Sequence, residues 1–215
     1  MTNKQQIQKL RDNAELAMAS YGYFHLIDKK FNHKSKTRKD DFITLHDILD
    51  STYKGYVTSE HTTFINPEKL DGDFTPTQAK RFFERYDLLE HCPNTDSGFS
   101  ATLFKDTKAD SKDSEYILSI RGTEFKLEQI QDLLNDYYIG TNNSDMNRVI
   151  EQYFDMLLFY EETLKPLLRE KGIARINVIG HSLGGYLAQL FALSYPHSIN
   201  EVYTYNAPLE SMSLA

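Results

Sequence analysis

Apolar residues fall in two blocks along the run INVIGHSLGGYLAQLFA at 176–192. Its β-branched lead-in, Ile176, Val178 and Ile179, predicts a buried strand; Leu187, Leu190, Phe191 and Leu193, after Gly184, predict a helix packed back onto it. At the start of the chain Ile7, Leu10, Ala14, Ala17, Met18 and Tyr21 recur at helical spacing, which predicts an amphipathic helix over 4–24 with those residues facing a sheet. Its polar side mixes both signs of charge, as expected of a sheet-covering helix rather than one lying on a membrane.

The remaining pattern alternates in the same way. Residues 42–53, with Ile43, Leu45, Ile48 and Leu49, predict a short helix, and 54–73 have no period and read as loop. Thr75 as N-cap, Pro76 at the first helical position and Gln78 completing a capping box open a helix predicted over 75–91, with Ala79, Phe82, Phe83, Tyr86 and Leu89 on one face. Pro93-Asn94 ends it, with His91 in its last turn. Strands are predicted at 99–105 and 116–121, joined by the polar stretch DTKADSKDSE. Asp132 and Asp136 share a face if 127–139 is helical, and read as solvated or capping acids rather than an acid/base pair. A long helix over 146–170, with Ile150, Tyr153, Phe154, Leu157, Tyr160, Leu164 and Leu167 facing inward, stops at Gly172 and feeds the 176–179 strand. Pro196 ends the next helix, 202–205 is one more strand, and Asn206-Ala207-Pro208 is a turn. This alternation predicts one α/β domain over 1–215, a central sheet flanked by helices.

Composition narrows the partners. A formal net charge of -7 argues against nucleic acid, which wants a basic surface. One basic stretch departs from this: Lys29, Lys30, Lys34, Lys36, Arg38 and Lys39 crowd together with His33 and could meet an anionic membrane surface, at about 1 kcal/mol per basic residue, although a solvated loop is the better account of them. Cys92 is the single cysteine, so no intrachain disulfide forms. No apolar run is long enough to span a bilayer and the first residues lack the apolar core of a signal peptide, which predicts a cytoplasmic chain or one exported without such a signal. His25, His46 and His61 have no ligand-like spacing, so no metal site is expected.

The chemistry lies between the 176–179 strand and its helix. Gly180-His181-Ser182-Leu183-Gly184 is a G-x-S-x-G pentapeptide in the strand–turn–helix context that gives it meaning. A serine at the apex of so tight a turn needs glycines beside it, and Gly185 adds clearance. The turn predicts Ser182 as nucleophile and sets the Leu183 N–H at a helix N-terminus, where developing negative charge is stabilised. His181, an immediate neighbour, reaches round to Ser182 poorly as a base and reads as support for the elbow. A second oxyanion donor is expected after an earlier strand, and Gly122-Thr123 at the end of the 116–121 strand suits it, with Thr123 offering its N–H.

In order and spacing, ILSIRGTE at 117–124, DLLND at 132–136, VIGHSLGGYLAQLFA at 178–192 and VYTYNAPLE at 202–210 resemble the class 3 lipases, an α/β-hydrolase family of triacylglycerol lipases and phospholipases. AMASYGYF and the helix predicted at 75–91 extend the resemblance over most of the chain. It implies a class 3 lipase-like α/β-hydrolase fold, Ser182 as nucleophile, an oxyanion hole made by the N–H groups of Thr123 and Leu183, a lipid acyl ester as substrate and no cofactor.

The chain departs from that family after the nucleophile. An α/β-hydrolase triad runs serine, acid, histidine, yet residues 183–215 hold no aspartate and one histidine, His197, directly after the elbow helix and on the side away from Ser182. The expectation is therefore an incomplete domain lacking its C-terminal strands, either part of a longer lipase-like protein or a natural truncation. By itself it would keep about 10³ to 10⁴ of rate over water from oxyanion hole and binding. The alternatives are a thioesterase or acyltransferase on the same elbow, and a catalytically inactive lipase-like module that binds lipid or a partner protein.

Overall fold

A computed structural model describes residues 1–31, 42–56, 69–109, 111, 115–122 and 144–207, with the backbone alone at 144–146. The chain divides into two compact units, one made of Met1–Ser20 and Leu88–Ala215, the other of Tyr21–Asp87.

The first unit is built on a sheet in the order β1-β2-β3-β4-β5. Its strands are β1 (Tyr86–Cys92, which enters this unit at Leu88), β2 (Ala101–Asp106), β3 (Tyr116–Ile120), β4 (Ile176–His181) and β5 (Ile199–Tyr205). β2 and β3 pair antiparallel, Ala101 opposite Ile120; β3, β4 and β5 run parallel, with Ile120 beside Gly180 and His181 beside Tyr205. All five residues of β3 are buried, because both faces of the sheet are covered. One parity, Tyr116, Leu118, Ile120, Ile176 and Val178, packs with Met156, Tyr160, Leu164, Leu168, Leu187 and Phe191 from the helices that link β3 to β4 and β4 to β5. These are α4 (Ser144–Phe159), a π-helical turn (Tyr160–Leu164), α5 (Lys165–Glu170) and α6 (Leu183–Ser194). On the other parity the Ser119 hydroxyl donates to the Leu16 carbonyl at 2.9 Å, which places α1 (Asn3–Ala19) on the opposite face.

Three predicted elements are corrected. α1 turns a different side to the sheet: Asp12, Asn13, Leu16, Ala17 and Ala19 are buried, whereas Ile7, Leu10 and Met18 are exposed. The helix is tied to the strands by two bonds to its backbone, Ser119 Oγ to Leu16 O and the Tyr205 hydroxyl to Leu10 O at 2.6 Å, and these set which side faces the sheet. The helix predicted over 75–91 is two elements, α3 (Pro76–Phe83), with Thr75 Oγ1 accepting the Gln78 N–H, and then β1. Pairing at the sheet edge overrides a stretch whose apolar spacing suits a helix, and His91 is a strand residue, its Nδ1 2.9 Å from Thr102 Oγ1. In α4 the inward line runs through Val149, Gln152 and Met156, leaving Ile150 and Phe154 exposed. That line contains a buried glutamine, whose amide donates to Ser97 O, so an apolar count misses it.

The second unit has its own core of Phe24, Leu26, Phe31, Ile43, Ile48, Leu49, Leu70, Phe74, Ala79 and Phe82. The helix predicted at 42–53 is here α2 (Leu45–Leu49), opened by a Thr44/Asp47 capping box, followed by a 3-10 turn (Ser51–Tyr53). Lys30 bridges Phe42 and Asp50 bridges Phe74, which brings distant stretches of this unit together.

Candidate active site

β4 delivers the chain to Ser182 and α6 carries it away, so the serine occupies a one-residue corner between two buried elements. Its φ of 54° and ψ of -126° lie in a region that L-residues avoid, at a cost on the order of 1–3 kcal/mol that the surroundings must offset. Three contacts hold the corner. The Ser182 N–H donates to Tyr205 O at 2.9 Å, and Ser182 O accepts from the N–H groups of Gly185 at 3.0 Å and Tyr186 at 3.3 Å. A side chain on Gly180 would run into the Gly184 carbonyl, and one on Gly184 into the Ile120 carbonyl. One on Gly185 would lie 2.6 Å from the Ala207 methyl. At Gly180 and Gly184 backbone meets backbone with no room for a side chain.

Ser182 is 6% exposed, and Leu183, 1% exposed, is the first residue of α6. The Leu183 N–H therefore belongs to the first turn of a helix, where N–H groups have no partner within the helix and the macrodipole is positive. Leu183 also packs with Val149 and Tyr186, which ties the start of α6 to α4. Gly184 lies against the carbonyls of Ile120 and Arg121, so the end of β3 abuts the same helix start. Thr123, the expected second donor, lies outside the described residues, as do Asp132 and Asp136.

The histidines are distributed so that none described is placed as a base for Ser182 within this unit. His181 is the last residue of β4, and burial holds its imidazole below the ordinary histidine value of 6.5, which keeps it neutral at pH 7. His197 sits in the turn after α6, a helix of 12 residues and about 18 Å of rise from the elbow. His91 is on the far edge strand, bonded to Thr102. Cys92 is held as a thiol rather than a reactive thiolate: burial, with Asp155 and Glu90 nearby, pushes it to about 11. Among the described residues no group of histidines, cysteines and carboxylates could hold a metal ion. Sequence reasoning missed Tyr205 and Val149; the second has a weak signal, an apolar residue at helical spacing, and the first has none.

Comparison with known proteins places this geometry. A family model described as the alpha/beta hydrolase fold matches residues 119–215, the stretch holding the elbow. Protein ECM18 of Saccharomyces cerevisiae is 36% identical over 66 residues, and 1-acylglycerol-3-phosphate O-acyltransferase ICT1 of the same yeast is 33% identical over 58. The two alignments take in 31% and 27% of this chain and 14% of each relative. Among solved structures, Lip2 lipase from Yarrowia lipolytica matches 96% of the chain at a TM-score of 0.51 and 19% identity. Lipase II from Rhizopus niveus matches 96% at a TM-score of 0.54 and 15% identity. The chain covers 61% and 64% of those two structures, about three fifths of their length. At these identities the likeness is one of fold.

Proposed function

Taking this chain as an α/β-hydrolase of lipase-like fold, we propose that it is a serine esterase acting on acyl esters of lipids, with Ser182 as nucleophile. The observation that carries the reading is the Ser182 backbone, φ 54° and ψ -126°, at a corner walled by three close-packed glycines. Strain of this kind is kept where it aims a side chain, and here it lifts the hydroxyl out of the β4 line beside a helix N-terminus. In the proposed reaction Ser182 Oγ attacks the ester carbonyl and its proton passes to a histidine base, which no described residue of this unit supplies. The oxyanion is held by the N–H groups of Leu183 and Thr123, the alcohol leaves, and water hydrolyses the acyl-enzyme.

A second reading, acyl transfer to an alcohol acceptor, is favoured by the likeness to a relative named as an O-acyltransferase. Product analysis separates the two. The esterase reading expects free fatty acid from emulsified triacylglycerol or phospholipid vesicles, abolished in Ser182→Ala. A product that forms only when acyl-CoA and a lysophospholipid are both present would favour the transferase.

We also propose that the basic stretch meets an anionic lipid surface. Lys30, next to Lys29, forms an antiparallel bridge with Phe42, which is exposed; Lys34, Lys36, Arg38 and Lys39 lie outside the described residues. Exchanging all six for glutamate should abolish sedimentation with vesicles containing phosphatidylserine, and unchanged sedimentation would refute the assignment.

A further inference from the structure

We infer that Arg121 is a positioning residue for the elbow, holding the end of β3 against the start of α6 through Asn94; the inference rests on Ser182 being the nucleophile. Arg121 directly follows β3 and is 9% exposed. A guanidinium is charged at any working pH, and removing a charge from water costs several kcal/mol before partners offset it. Its Nη1 donates to Asn94 Oδ1 at 3.3 Å.

Asn94 belongs to a firmly built loop. Within it Thr95 N donates to Phe99 O and Gly98 N to Thr95 O, both at 2.9 Å, and Ser100 Oγ donates to Cys92 O at 2.8 Å. The same loop is bolted to α4, where Ser97 Oγ donates to Asp155 Oδ2 at 2.7 Å and Gln152 Nε2 donates to Ser97 O at 3.0 Å. α4 in turn packs Val149 on Leu183. On the other side the Arg121 N–H donates to Ser100 O at 3.0 Å, and its carbonyl oxygen would lie 2.9 Å from a side-chain carbon on Gly184, two residues past the nucleophile.

The loop is therefore a brace behind both walls of the elbow, and Arg121 is its side-chain link to the β3 wall. Without that link, the strand end and the Leu183 N–H drift relative to each other, which changes the oxyanion geometry and leaves the serine in place.

The test measures the second-order rate at which a fluorophosphonate labels Ser182 in the full chain, together with the thermal unfolding midpoint. The variants are Arg121→Gln, Arg121→Ala, Arg121→Lys and Asn94→Ala. A misplacement of about 1 Å can cost about 100-fold, so Arg121→Gln should slow labelling by about tenfold or more and Asn94→Ala by severalfold. Arg121→Lys should fall between parent and Arg121→Gln, because an ammonium keeps the charge without the planar fork. Millimolar guanidinium should restore part of the rate in Arg121→Ala. Asn94 is exposed, so its truncation keeps the test open if an Arg121 variant fails to fold. Rates within twofold of the parent in folded variants overturn the inference, as does slowing that only tracks a lowered midpoint and ignores guanidinium. A parent chain that is not labelled at Ser182 removes the nucleophile assignment and this inference together; a labelled parent with unaffected variants removes the inference alone.

Discussion

Ser182 is where residue-level physics speaks most directly. The angles φ 54° and ψ -126° are the mirror image of an ordinary extended conformation, which glycine occupies without penalty and alanine does not. Ser182→Gly should therefore be more stable than Ser182→Ala by about 1 kcal/mol, the reverse of their usual order, when both are unfolded in urea. Gly180→Ala, which would drive a methyl into the Gly184 carbonyl, should lose on the order of 2–4 kcal/mol in the same assay. His181 sets a pH dependence. Its folded value is depressed below 6.5 by burial, so between the two values the unfolded chain binds more protons and stability rises with pH. The stability is fully present above 6.5 and is lost as pH falls through the folded value; His181→Asn should flatten that slope in unfolding midpoints measured from pH 5 to 7. Ser182, Leu183 and the glycines were readable from the sequence because a pentapeptide between strand and helix has few other meanings. The support given by Tyr205 was not, since it comes from a backbone carbonyl on another strand and leaves no mark on residue type.

At the scale of elements, legibility followed burial on both sides. β3 and β4 are wholly or almost wholly covered and their apolar runs announce them, as do Gly172 at φ 66° and Pro196 at the helix ends. The edge strand β1 is half-buried along most of its length, so its apolar residues fit a helical period as well as a strand, and pairing with β2 decides. In α1 the pattern located a helix and misjudged its inward side, because that side mixes Asp12 and Asn13 with Leu16, Ala17 and Ala19 and an apolar count passes over it. This makes a sharp contrast testable. Ile7→Lys, at a position 68% exposed, should change stability by less than about 0.5 kcal/mol, whereas Ala17→Leu, at 2%, should cost about 1–3 kcal/mol by overpacking. A larger loss in Ile7→Lys than in Ala17→Leu in denaturant melts would mean that the helix sits the other way round.

Over the whole molecule, the parallel strands β3, β4 and β5 and the helices between them form a frame with one strained serine at the carboxyl end of its central strand. Ligands in open α/β sheets bind at that end, which is where the proposed acyl ester meets Ser182. Frame and elbow could be read from the chain because strand, turn and helix are contiguous. The histidine and acid that complete such a site are joined to it only through space, and no spacing in this sequence points to them. The central claim is that the elbow presents Ser182 as a reactive nucleophile. Its most direct test is to treat the protein in its native cells, where the histidine that activates Ser182 is present, with a fluorophosphonate and map the modified peptide, with Ser182→Ala as control. The account predicts a single adduct on Ser182, lost in the control. An intact, folded chain that stays unmodified at Ser182, or an adduct that persists in Ser182→Ala, would contradict it.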